Sequence, residues 1–220
     1  MTTLLIAISG CSGGNKGPLE VYSRLQSHWD TKEVRVLQLE TIPDSVIENI
    51  ELVVKTVLDQ PTSSYKDVFL VGYSMGGAVA LGAAASLLEK QICKVKGIAL
   101  LSTQTDGLQV LTTLNLPILF YHGSRDEFFQ PSEIKRFYNK YEGPKKMVIV
   151  SKGGHNLGPK YAASPYGKAL ARNIADDIKG LFRATKETSP NEPQTKIIPR
   201  TLRESTANAF YSAISRIHPD

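Results

Sequence analysis

Short, largely apolar runs alternate along this chain with longer stretches in which apolar residues recur every third or fourth position. Leu4 to Ile8, Val34 to Leu39, Val68 to Val71, Ile98 to Leu101, Ile118 to Tyr121 and Met147 to Val150 have strand length and are rich in Val, Ile and Leu. Between the second and third runs, Val46, Ile47, Ile50, Val53, Val54, Val57 and Leu58 keep helical spacing. Pro43-Asp44 stands at the head of that helix and Pro61 beyond its end. Pro18 is placed to open an earlier helix over Leu19, Tyr22 and Leu25. Ala78 to Leu88 is a run of small residues, which lets a helix lie close to a sheet. Further helices are predicted around Ser132–Tyr138 and Gly167–Phe182. Buried strands separated by helices imply an α/β fold: a mostly parallel sheet of about six strands with helices on both faces. Ligands of such sheets bind above the carboxyl ends of the strands.

The pattern changes near the C-terminus. Residues 185–200 are dominated by Pro, Thr, Lys, Glu and Asn and read as a linker after a domain spanning residues 1–184. Thr201 and Glu204 then form a capping box. Leu202, Thr206, Ala209, Phe210, Ala213, Ile214 and Ile217 follow on one helical stripe, so residues 201–220 read as an amphipathic helix. An isolated helix of this length is marginal in water. Its stripe is therefore expected to dock on protein, either on this domain or across a homodimer.

Composition narrows the function classes. A chain of 220 residues, 41% hydrophobic, can build the core of one such domain. The net charge of +5 is mild, and no basic stripe is interleaved with aromatics, so a nucleic-acid partner has no support. Cys11 and Cys93 form neither a disulfide framework nor a metal-binding spacing, which fits a reducing, cytoplasmic setting. Leu4 to Cys11 has the outline of a short signal sequence, but no Lys or Arg precedes it, and a buried first strand explains it better. No apolar stretch approaches a membrane span.

The chemistry begins at Gly72-Tyr73-Ser74-Met75-Gly76-Gly77, a G-x-S-x-G sequence lying between a strand and a helix. Glycines on both sides permit a tight turn that pushes the Ser74 hydroxyl outwards and aims the first helical amides at a developing negative charge. The plain alternative is a glycine-rich turn with a capping serine. A nucleophilic serine needs a base, and the base an orienting acid. His155, in Gly153-Gly154-His155-Asn156 directly after the last strand, is the best base. His28, His122 and His218 are placed worse. The acid candidate is Asp126, in His122-Gly123-Ser124-Arg125-Asp126-Glu127-Phe128, after the fifth strand. Asp106 is the fallback and Glu127 a weaker one.

The three sequences GYSMGG, HGSRDEF and GGHN, in the order Ser, Asp, His, resemble the α/β-hydrolase superfamily over residues 3–184. In particular they resemble its small, lidless, intracellular serine hydrolases of the dienelactone-hydrolase-like and carboxylesterase/thioesterase types. The resemblance implies that Ser74, Asp126 and His155 cleave a small-molecule ester or thioester through an acyl-enzyme, with no metal or cofactor. It also implies an oxyanion loop, matched here by Ser9 to Gly17, with Ser9 where the family often has His. By position, the amides of Cys11 and Met75 would form the oxyanion hole. Ser12 is the second choice for the loop amide and is counted with the substrate-binding residues. The first strand matches the family's third, so the first hairpin has no counterpart and one sheet edge is left uncovered. The segment between Leu101 and Ile118 is too short for a helical lid. An open, shallow site follows, with Tyr73, Gln104, Phe128, Phe129 and Leu157 as lining candidates.

Two other readings stand beside this one. Gly10 to Gly17, between a strand and a helix, resembles a phosphate-binding loop of a nucleotide-binding protein. Asn15 replaces the glycine before its lysine, and Gly17 stands where Ser or Thr belongs. The other reading is a non-catalytic binding protein that keeps a hydrolase scaffold.

Overall fold

The computed structural model describes residues 2–11, 16–29, 33–42, 45–61, 65–105, 107–108, 114–158 and 164–187. The helix expected over 201–220 lies outside these residues, as do Ser12, Pro43, Asp44 and Asp106. Among the described residues there are six strands: β1 (Thr2–Ile8), β2 (Val34–Leu39), β3 (Tyr65–Tyr73), β4 (Lys94–Leu101), β5 (Ile118–Gly123) and β6 (Lys145–Val150). Among the same described residues they are accompanied by α1 (Val21–Trp29), α2 (Val46–Leu58), α3 (Met75–Glu89), α4 (Pro131–Lys140) and α5 (Pro165–Glu187).

Among the described residues every strand pairing is parallel, in the order β2-β1-β3-β4-β5-β6. Leu4, Ile6, Ile8, Leu70, Ile98 and Phe120 point to one face, where α2, α3 and α4 cover them. Their neighbours Leu5, Ala7, Phe69, Val71, Ala99 and Tyr121 point to the other, under α1 and α5. A strand buried on both faces gains nothing from alternating polarity, which is why these sequences read as continuous apolar runs. Phe182 meets Trp29 edge-on at 4.6 Å and Phe69 at 6.2 Å between ring centroids, tying α5 to α1 and the sheet. β3 and β4 begin earlier than their apolar runs. Asp67 pairs with Lys94 there, and a backbone ladder accepts such polar ends.

Helix boundaries also differ from expectation. α2 starts at Val46, because the Ser45 hydroxyl accepts the Glu48 N–H at 3.3 Å and caps the helix. Pro18 opens only a single 3₁₀ turn, Pro18–Glu20. Leu19 and Glu20 then take φ of 52° and 59° before α1 begins. The chain is drawn tightly over the ring of Tyr22 here, since a Cβ on Gly17 would lie 2.6 Å from that ring. At the other end, α5 continues through Thr185 to Glu187. Among the described residues, no helix is long and apolar enough to cross a membrane.

Candidate active site

The parallel sheet brings the carboxyl ends of β3, β5 and β6 to one edge of the molecule, and the three chemical sequences sit there. Ser74 lies between β3 and α3 with φ 55° and ψ −123°. That conformation is strained for any residue with a Cβ. It is held by three backbone hydrogen bonds. Ser74 N–H donates to the Leu101 carbonyl at 3.0 Å, and its own carbonyl accepts from Gly77 (3.0 Å) and Gln104 (3.2 Å). The flanking glycines are steric requirements. A Cβ on Gly72 would lie 2.1 Å from the Gly76 carbonyl oxygen, and one on Gly76 2.3 Å from those of Ile8 and Ser9. The Ser74 side chain makes no capping bond to α3. Its Oγ lies instead 2.9 Å from His155 Nε2, which disposes of the capping-serine reading.

His155 Nδ1 lies 3.0 Å from Asp126 Oδ2 and 3.2 Å from Oδ1. An ionised carboxylate only accepts hydrogen bonds, so Nδ1 carries the ring proton and Nε2 is left to accept from the Ser74 hydroxyl. The loops bearing these two residues are laced together. Ser124 N–H donates to the Val150 carbonyl, Arg125 N–H to the Gly153 carbonyl, and Lys152 N–H to Ser124 Oγ. A Cβ on Gly123 would lie 2.2 Å from the Gly154 carbonyl oxygen, so glycine is needed for this approach. Glu127 accepts the backbone N–H of His155 at 3.2 Å. It holds the main chain of the loop, and the ring belongs to Asp126.

Asp126 is buried and also accepts the amides of Phe128 and Phe129 on Oδ1, each at 3.0 Å. Burial pushes its pKa up, but the hydrogen bonds from His155 and from the Phe129 and Phe128 amides outweigh it, and the carboxyl titrates below its ordinary value. His122 lies underneath, also buried, with Nε2 donating to the Phe129 carbonyl at 2.8 Å and 3.5 Å from Asp126 Oδ2. Its Nδ1 has no hydrogen-bond partner among the described residues. Burial is the largest influence on it and lowers its pKa from the ordinary 6.5. The sign follows: just below pH 6.5 the unfolded chain binds a proton at this residue that the folded one refuses, so stability falls as pH drops through that window. His122→Gln should therefore show a smaller loss of Tm between pH 7 and pH 5 than the wild-type protein. Equal losses would assign the effect to other groups.

The residues expected to form an oxyanion hole are neighbours. β1 and β3 are adjacent with Ile8 opposite Gly72, so the loop after β1 passes beside the elbow. Cys11 Sγ lies 3.5 Å from Met75 Sδ, and Met75 opens α3. Lys16, the lysine of the nucleotide-binding reading, faces Glu20 at 3.9 Å on the surface. Among the lining candidates, Tyr73, Phe128 and Phe129 surround the His155 ring at centroid distances of 5.2, 4.9 and 5.4 Å. Phe128 is 68% exposed at the mouth. Burial raises the Tyr73 hydroxyl to about 12, so that phenol stays neutral. Gln104 reaches the elbow through its backbone. Leu157 does not line the site: its φ of 68° turns it inward, and it is wholly buried in the cluster under α1 and α5.

The family model of the alpha/beta hydrolase domain matches residues 40–182, a span that holds Ser74, Asp126 and His155. The chain belongs to the α/β-hydrolase family. Solved structures share this α/β-hydrolase fold at low identity. Est1E from Butyrivibrio proteoclasticus aligns with a TM-score of 0.64 and 17% identity, over 83% of this chain and 89% of that one. Dienelactone hydrolase from Anabaena variabilis gives 0.62 and 18%, over 81% and 86%. ClbQ from the colibactin NRPS/PKS pathway gives 0.59 and 11%, over 86% and 100%. Identities this low carry the fold and leave the chemistry to the site. A search of curated proteins returns no match.

Proposed function

We propose that this protein is a cytoplasmic serine hydrolase that cleaves a carboxylic ester or thioester of a small molecule through an acyl-enzyme on Ser74. The observation that carries the reading is the unbroken relay from Ser74 Oγ to His155 Nε2 (2.9 Å) and from His155 Nδ1 to Asp126 (3.0 Å). In this reading, His155 takes the hydroxyl proton as Ser74 Oγ attacks the acyl carbon. The carbonyl oxygen becomes an oxyanion against the amides of Met75 and Cys11. Collapse expels the alcohol or thiol, protonated by His155. Water, deprotonated by the same imidazole, then attacks the acyl-enzyme and releases the acid. Asp126 fixes the tautomer and stabilises the imidazolium of each step. Est1E has been solved with ferulic acid bound. Here the rings of Tyr73, Phe128 and Phe129 would suit an apolar or aromatic acyl group.

A fluorophosphonate probe tests the reading directly. The full-length protein should gain one adduct, mapped by mass spectrometry to the peptide carrying Ser74. It should also hydrolyse p-nitrophenyl esters and acyl thioesters in a series of increasing chain length. Neither adduct nor turnover across the series would leave the non-catalytic scaffold as the better account.

A further inference from the structure

We propose that Thr41, in the loop after the edge strand β2, is a positioning residue for the oxyanion amide of Cys11; the proposal rests on the serine-hydrolase reading of Ser74. The Thr41 side chain is buried, and its hydroxyl donates to the Gly10 carbonyl at 2.6 Å. The Gly10–Cys11 peptide is trans. In a trans peptide the C=O and the following N–H lie in one plane and point in opposite directions. Fixing the Gly10 oxygen therefore fixes the direction of the Cys11 N–H.

Gly10 needs such a restraint. Its Cα lies against the elbow, where an added Cβ would sit 3.0 Å from Ser74 Cβ, so no side chain is available to hold the backbone. A glycine rotates between backbone states at little cost. Any rotation about Gly10 ψ swings the Cys11 amide away from its direction.

Thr41 is itself anchored from two sides. Ser9 holds the start of the β1 loop to the end of β2 through its N–H (3.2 Å) and its hydroxyl (2.8 Å), both on the Leu39 carbonyl. On the far side, the buried amide of Asn49 in α2 clamps Ile42. It accepts the Ile42 N–H and donates to the Ile42 carbonyl, each at 2.8 Å, and it also donates to the Ser45 carbonyl. Thr41 thus sits between two fixed backbone points, and its branched Cβ stiffens χ1. A chain of fixed groups runs from α2 through Asn49, Ile42, Thr41 and Gly10 to the Cys11 amide.

Removing an oxyanion donor costs about 10²–10³ in kcat, and losing only its orientation costs less. In the full-length chain, Thr41→Val keeps the shape and removes the donor. It should lower kcat for p-nitrophenyl acetate by about tenfold or more, leave KM within about twofold, and slow fluorophosphonate labelling in proportion. Thr41→Ser keeps the hydroxyl and should remain within about threefold of wild type. A merely structural role would lower Tm and raise KM without this kcat effect. Unchanged kcat and labelling rate in Thr41→Val, with an active wild-type enzyme, overturns the proposal alone. A wild-type protein inert to both reagents overturns the serine-hydrolase reading and this one with it. Should Thr41→Val fail to fold, Thr41→Ser decides: retention supports the proposal, and a tenfold loss of kcat overturns it.

Discussion

Ser74→Ala is expected to remove fluorophosphonate labelling altogether and to cut ester turnover by about a millionfold, the scale seen when a triad serine is deleted. Any residual activity over water would come from substrate binding and the oxyanion amides. The fold should survive, for reasons visible at the elbow. Ser74 Oγ makes no capping bond, so α3 loses no partner. The backbone bonds to Leu101, Gly77 and Gln104 do not involve the side chain. Alanine meets the same strain at φ 55° that serine does, so Tm should stay close to the wild-type value. Ser74→Gly sharpens the test. Glycine adopts positive φ freely, so this variant should be equally inactive and no less stable than Ser74→Ala. An alanine variant that keeps more than a few per cent of wild-type turnover would remove Ser74 as the nucleophile.

The site was legible in the sequence because a parallel α/β sheet puts every strand's carboxyl end on one side. Once Val68–Val71, Ile118–Tyr121 and Met147–Val150 read as strands, Ser74, Asp126 and His155 had to lie near one another. What was not legible depends on partners far away in sequence. Thr41 carries no signal in Glu40-Thr41-Ile42; its importance comes from a carbonyl 31 positions earlier. Glu127 looked like a spare acid, and only the fold shows its carboxylate on the His155 backbone. His122 was set aside as a base, and its place beneath Asp126 follows from the inward register of β5. Leu157 failed as a lining residue because a positive φ, which an apolar residue in a loop does not advertise, turns it into the core. Ser45 could have been found: Ser45 and Glu48 have the spacing of a capping box, and the nearby proline drew the boundary instead.

Asp126→Asn should lower kcat by about 10⁴, as amidation of a triad aspartate does, and the hydrogen bonds around this carboxylate explain why. Oδ1 accepts two backbone amides, from Phe128 and Phe129. An asparagine must place its oxygen there, because an NH₂ group cannot accept those bonds. Its NH₂ then occupies the Oδ2 position, 3.0 Å from His155 Nδ1. A donor at the shorter of the two contacts favours Nδ1 as the acceptor over the 3.2 Å contact to the oxygen, and the ring proton moves to Nε2. An Nε2–H can only donate to Ser74 Oγ and cannot take its proton. The serine, the imidazole and the amide would all remain within hydrogen-bonding distance while the relay ran in the wrong direction. KM should accordingly change by no more than a few fold, since neither Asp126 nor the altered proton touches the acyl chain. The controls separate this from a general loss of charge. Glu127→Gln keeps an oxygen able to accept the His155 N–H and should cost far less than Asp126→Asn, and so should Asp106→Asn. The decisive measurement is kcat for the three variants on one p-nitrophenyl ester. If Asp106→Asn or Glu127→Gln falls furthest, the orienting acid is that residue and Asp126 is a structural carboxylate.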